Sequence, residues 1–187
     1  LTNSGTAAAT FQINEIGTTT AVGPSWQTMA PLPAGRAFHA VVAADNYLYA
    51  IGGTSDAAGT IATNTNFRYD INANTWTTLM PLPVALGSID SVAVDGKIYV
   101  PGDAGTATTY VYDIAGNSWS TIAANGGYSA RSQYQVVAIG ANVYVLGGIV
   151  TSSNTSTNQV WRLDTTTGIW LAGTPMQSSR TSFAAAA

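Results

Sequence analysis

Arg36, Arg131 and Arg180 are the residues best placed for ligand chemistry. Arg36 stands 16 residues before Gly52 and Arg131 stands 16 before Gly147. Arg180 opens a similar segment. A guanidinium presents a fork of N–H donors that grips a carboxylate bidentately, so several of them in one register suit an acidic peptide or other carboxylate ligand. We take these three as the candidate ligand-binding residues. The competing use is structural, with each arginine bonding loop carbonyls or an acid of the neighbouring repeat. His39 is the sole histidine. A base or metal ligand needs a partner, and His39 lies on an apolar stretch with no acid or second histidine nearby, which favours simple packing. Asp70, Asp113 and Asp164 each stand six residues before a tryptophan. One active site does not recur in every repeat, so they are expected to hold turns through Asx-type bonds. Asp90 and Asp103 break the repeat pattern and are the odd ones out. No catalytic residue, metal ligand or cofactor is assigned. With no cysteine, thiolate chemistry, disulfides and cysteine-held metals are excluded.

The elements that position these residues come in copies. Residues 31–53 read PLPAGRAFHAVVAADNYLYAIGG, residues 81–103 PLPVALGSIDSVAVDGKIYVPGD, and residues 126–148 GGYSARSQYQVVAIGANVYVLGG. Each leads to a segment ending in tryptophan, at Trp76, Trp119 and Trp170, and Trp26 precedes the first copy. Self-similarity at this period outranks local propensity as a guide to fold. Each copy predicts four strands. They are Ala37–Ala43, Tyr47–Ile51, Asn66–Asp70 and Thr75–Leu79; then Ile89–Val94, Lys97–Val100, Thr109–Asp113 and Ser118–Ile122; then Gln133–Ile139, Asn142–Leu146, Gln159–Asp164 and Ile169–Ala172. Val, Ile, Tyr and Thr dominate them. Asp45-Asn46, Asp95-Gly96 and Gly140-Ala141 supply hairpin turns. The strands are apolar on both parities, so their sheets must be covered on both faces. Repeated four-stranded antiparallel sheets of this kind are the blades of a β-propeller. A sandwich does not explain whole repeating units.

The Gly52-Gly53 and Gly147-Gly148 doublets, with the spaced aromatics Phe67/Trp76, Tyr110/Trp119 and Trp161/Trp170, resemble the kelch repeat over about residues 26–187. The resemblance implies an all-β kelch-type propeller in which a tryptophan covers each doublet. It also places the arginine register near the mouth of the central channel, where ligands often bind. Tyr49, Tyr99 and Tyr144 are expected in blade cores. The middle copy departs: Pro101-Gly102-Asp103 replaces the doublet's second glycine and Leu86 replaces an arginine, which predicts a looser corner. By strand count the chain is one propeller segment, 1–187. It divides into the end of a preceding blade (1–30, with strands at Phe11–Asn14 and Trp26–Met29), blades at 31–80, 81–125 and 126–173, and the start of another at 174–187. Ala184–Ala187 reads as helical by propensity but as strand by register. Three blades do not close, so an incomplete propeller with exposed edges is expected to be accompanied by further polypeptide, from its own chain or another subunit.

Composition bounds the function. Six basic and nine acidic residues give a net charge of −3, without the basic footprint of a nucleic-acid binder. No apolar run approaches the length of a membrane helix. Polarity carried by Thr, Ser, Asn and Gln suits an extracellular or cell-surface β protein. The expected function is a non-catalytic binding or scaffold module that reads a protein or glycan through one propeller face. The alternative is a cofactor-free carbohydrate enzyme of epimerase or mutarotase type, with part of its site in missing blades. Galactose-oxidase-type copper chemistry needs two histidines and a cysteine, which this chain lacks. The loops Thr54–Thr65 and Ile149–Asn158 are candidate recognition segments, with a solvated connector as the plain alternative. Asn154-Thr155-Ser156 is a glycosylation sequon.

Overall fold

The computed structural model describes residues 26–56 and 58–187. Three four-stranded antiparallel sheets follow one another along the chain, each in simple sequence order. The first blade is β1 (Ala40–Ala44), β2 (Tyr47–Ile51), β3 (Asn66–Asp70) and β4 (Thr75–Thr78). The second is β5 (Val92–Val94), β6 (Lys97–Val100), β7 (Thr109–Asp113) and β8 (Ser118–Ile122). After β9 (Arg131–Ser132) the third blade begins with β10 (Gln135–Ile139) and β11 (Asn142–Leu146). It continues past β12 (Ile149–Val150) and β13 (Thr155–Ser156) to β14 (Val160–Asp164) and β15 (Ile169–Ala172). The three blades lie in one compact unit, Pro31–Ala187. They form an open all-β kelch-type arc.

The double-sided apolar pattern has the expected meaning. On β6, Ile98 and Val100 face a core shared with Tyr49, Ile51 and Leu86. Tyr99, between them, faces a second core with Tyr134, Val143, Val145 and Trp170. The middle blade is thus buried on both faces, and its neighbours each on one. Val41 and Ile139, on the outer blades, are 52% and 58% exposed.

Several expectations need correction. The first strands begin later than Ala37, Ile89 and Gln133, at Ala40, Val92 and Gln135. Each follows a kink, where Phe38, Ser88 and Gln133 adopt φ of 54°, 54° and 55°, with Phe38 and Gln133 inside the expected strands and Ser88 just before Ile89. A strand cannot run through a left-handed residue. The kinked residues join the blades instead: Ile89 N–H donates to Phe38 O, Gln133 N–H to Ser88 O, and Ser182 N–H to Gln133 O, at 3.4, 3.2 and 3.1 Å. Ser182, at φ 49°, repeats the kink a fourth time. The segment Arg180–Ala187 therefore enters a fourth copy in the right geometry, but it forms no strand, having no second-strand partner among the described residues. Trp26–Met29 also forms no strand, and Phe11–Asn14 lies outside the described residues. Tyr49 and Tyr99 are buried as expected, whereas Tyr144 is only half-buried.

The tryptophans do not cover the glycine doublets. A Cβ on Gly53 would lie 2.6 Å from Ala37 O and from the His39 Cβ; one on Gly52 would lie 2.8 Å from Leu86 O. Gly148 likewise sits against Ser132 and Tyr134. The doublets are pressed against main chain entering their own and the following repeat, and their φ of 60°, 88°, 61° and 92° suits glycine alone. The tryptophans pack against tyrosines instead. Trp76 meets Tyr69 at 4.9 Å, Trp119 meets Tyr112 at 5.0 Å, and Trp170 lies flat on Tyr128 at 4.1 Å.

Candidate binding site

Antiparallel order puts the β1–β2 and β3–β4 turns at one end of each blade. The β2–β3 loops and the arginine register lie at the other. The turn end is occupied by structural acids. Asp70 accepts N–H bonds from Asn72 and Ala73, both at 2.9 Å, Asp113 from Gly116 at 2.6 Å, and Asp164 from Thr166 at 2.9 Å. These are the Asx turns the repetition implied. The bonds from Thr166 and Thr167 hold the Asp164 carboxyl below its usual value.

At the loop end each arginine has a distinct setting. Arg36 donates to Gly52 O at 3.1 Å and to Thr65 Oγ1, with its guanidinium 4.5 Å over the Phe67 ring. Arg131 is 1% exposed. It donates to Gly147 O at 3.3 Å, Gln159 Oε1 at 3.2 Å and Ser129 O at 3.2 Å. The carbonyl of the glycine 16 residues on is the shared acceptor. Arg180 is exposed and donates to Ser178 Oγ. The backbone of this register repeats at two corners: Leu86 O accepts from Gly53 N–H and Arg180 O from Gly148 N–H, at 2.8 and 3.0 Å, whereas Asp103 N–H turns to Thr106 O at 3.2 Å. The guanidiniums of Arg36 and Arg131 thus clasp their own repeats, and that of Arg180 faces solvent.

His39 is half-buried beside Gly53. Burial first and the Arg36 charge second lower its pKa, which keeps the imidazole neutral at neutral pH. Asp90 acts as a staple: its Oδ2 accepts Val136 N–H from the third blade at 2.9 Å, and its Oδ1 accepts Ser91 N–H. Its carboxyl is raised by burial. Tyr128 and Tyr134, which sequence reasoning passed over, bind the middle blade's corner. Their hydroxyls donate to Pro101 O and Gly102 O at 3.3 and 2.6 Å. The corner expected to be loose is therefore pinned.

The loops differ between blades. In blade 3 the segment after Gly148 is ordered as a small ladder, β13-β12-β9, that takes in Arg131 itself. Blade 1 has the same plan in isolated bridges, Ala37 to Thr54 and Thr54 to Ala62. These segments are built structure, not slack connectors. In blade 2 the loop closes early through the Asp103–Thr106 bridge, and Leu86 pairs with Thr63 of blade 1. A pocket of about 290 Å³ opens there, lined by Val84, Leu86, Asp103, Thr106 and Tyr110 among others. Blade 1 has a smaller one of about 230 Å³ beside Arg36 and Asp56. Both departures of the middle copy, Leu86 and Asp103, line one space.

A family model, the KLHDC2/KLHL20/DRC7 Kelch-repeats domain, matches residues 38–186. The chain belongs to the kelch-repeat family. Among curated kelch proteins, Kelch repeat and BTB domain-containing protein 12 of Danio rerio is 34% identical over 90 residues, which are 44% of this chain and 14% of that protein. Kelch-like protein 35 of Mus musculus is 36% identical over 81 residues, 43% of this chain and 14% of that one. The chain thus spans a small part of the length of these relatives. The solved structure of YjhT superposes with a TM-score of 0.69 at 20% identity, over 84% of this chain and 57% of that one. That likeness concerns the kelch fold.

Proposed function

We propose that this chain is a non-catalytic binding module, displayed outside the cell, that recognises a protein or glycan partner through the loop end of its blades. The observation that carries this reading is the contrast between a constant frame and variable loops. The kinked residues repeat from blade to blade and the glycine doublets in the first and third, while the segments Gly52–Thr65, Pro101–Thr108 and Gly147–Gln159 differ in length, pairing and charge. Variable loops on a rigid scaffold are where recognition resides. Composition supports the extracellular setting, since only 8% of residues are charged. The reading includes further polypeptide against the outer blades, whose Val41 and Ile139 would gain cover.

A photo-crosslinking amino acid at Ala104 or Ser55, in the loops, tests it against one at Ala115 or Asn72, in the opposite turns. Partner crosslinks from the loop positions only are expected. Equal crosslinking from both ends would overturn the reading.

A further inference from the structure

We propose that the pocket of the middle blade takes the guanidinium group of a partner's arginine side chain. This rests on the binding-module reading above and adds the chemistry of one contact. The argument is repeat equivalence. In blade 1 this place is filled by the chain's own arginine, with Arg36 over the Phe67 ring at 4.5 Å and bonded to Gly52 O and Thr65 Oγ1. In blade 3, Arg131 reaches the matching acceptors, Gly147 O and Gln159 Oε1. The middle blade keeps the frame, with Tyr110 where blade 1 has Phe67 and Thr108 where it has Thr65, but it supplies no cation. Leu86, in the arginine's place, turns into the core between blades 1 and 2. Asp103 stands where the other blades have the second glycine. The early closure of the loop leaves the space uncovered, at about 290 Å³.

The groups facing that space fit a guanidinium. Asp103 Oδ1 accepts Gly105 N–H at 2.7 Å and Oδ2 accepts Gly87 N–H at 3.2 Å. These bonds fix the carboxylate in place and leave each oxygen a further lone pair. The Gly102 carbonyl accepts the Tyr134 hydroxyl, and the carboxylate adds a charged acceptor that the other blades lack at this position. Tyr110 offers its ring at the pocket wall. A planar cation that forks onto a carboxylate and stacks on an aromatic face is a guanidinium, in preference to an ammonium. The middle blade has exchanged an internal arginine for an acceptor of an external one.

The test is an NMR titration of the whole chain at low salt with N-acetyl-arginine amide, and with the lysine and citrulline equivalents. The arginine compound is expected to shift the Gly105 and Thr106 amides and the Tyr110 ring, the lysine compound to bind more weakly, and citrulline not to bind. Asp103→Asn should weaken arginine binding about tenfold. Leu86→Arg, which refills the space from within, should abolish it. Equal binding of citrulline, unchanged affinity in Asp103→Asn, or shifts confined to other residues would each overturn the proposal. Selection of random peptides on the wild-type chain and on Asp103→Asn separates the two readings. Arginine enrichment on the wild type alone supports the proposal. Peptides selected without arginine enrichment overturn the arginine contact and leave the binding module standing. Arginine amide seated in the pocket with no peptide selected by either form overturns protein recognition, and with it a partner's arginine as the source.

Discussion

The first and second blades are joined differently from the second and third. At the corner between the first two, main chain meets main chain: Gly53 N–H donates to Leu86 O, and Leu86 N–H to Thr63 O, with side-chain bonds such as Trp119 Nε1 to Met80 O and Asn64 Nδ2 to Leu82 O lying away from the corner. Between the second and third, side chains do much of the work. Tyr128 and Tyr134 donate to Pro101 O and Gly102 O, Asp90 accepts from Val136 N–H, and Thr151 Oγ1 donates to Ala104 O. A glycine corner allows the close approach that a backbone joint requires. Where Asp103 takes the second glycine's place, longer polar side chains span the gap. The two corners therefore rely on different bonds, and they should fail differently.

The largest expected effect is at the backbone joint. In Gly53→Ala the new Cβ would lie 2.6 Å from Ala37 O and His39 Cβ at a φ of 88°, so a loss of about 3 kcal/mol or more is expected in chemical denaturation. Asp103→Ala, at the equivalent place, should cost about 1 kcal/mol for its two lost acceptor bonds. If Gly53→Ala proved the milder of the two, the contrast between joints would collapse. Next comes Tyr134→Phe. It leaves the Gly102 carbonyl without its 2.6 Å donor in a buried setting, and a loss of about 1–2 kcal/mol is expected from the same measurement.

A slope with pH should be smaller still. Burial holds the Asp90 carboxyl above its usual 3.8, outweighing the bonds from Val136 and Ser91 that lower it. The fold therefore favours the protonated form. Asp90's contribution to stability is full below 3.8 and is lost as pH rises through the raised value. Melting temperatures measured from pH 3 upward should show this decline in the wild type and a flatter profile in Asp90→Asn. A steeper profile in the variant would remove Asp90 from the account. The smallest effect is expected at Arg180→Ala, within about 0.5 kcal/mol, because the side chain is exposed, with one bond to Ser178 Oγ and its guanidinium a long 5.8 Å from the Phe183 ring centre. A cost like that of a buried arginine would show that Arg180 clasps its repeat as Arg131 does.

The repeat made the four-strand blades readable, and strands such as Tyr47–Ile51 and Thr109–Asp113 fall where their β-branched and aromatic residues placed them. The kinks ahead of β1, β5 and β10 were not readable. Phe38, Ser88 and Gln133 share no chemistry, and nothing in a phenylalanine announces a left-handed φ imposed by the neighbouring blade. The arginine register was visible from spacing. Loop carbonyls were a stated alternative as acceptors, but which ones was not readable, because Gly52 O and Gly147 O are main-chain atoms that any residue would supply. Leu86 and Asp103 were each visible as departures from the repeat. Their meeting at one pocket depends on a loop closure, Asp103 to Thr106, that composition does not encode.

The kinked residues have a consequence for how such a chain can lengthen. Phe38, Ser88 and Gln133 differ in side chain, yet each seam carries a backbone N–H to C=O bond at this place, joined at the last by a bond from Ser182 Oγ to Gln133 Oε1. A link made main chain to main chain places few demands on the side chains at that point. Whole blades can therefore be duplicated, deleted or exchanged by recombination with this one link kept, while side-chain bonds across a seam, such as Tyr134 to Gly102 O, must be matched anew.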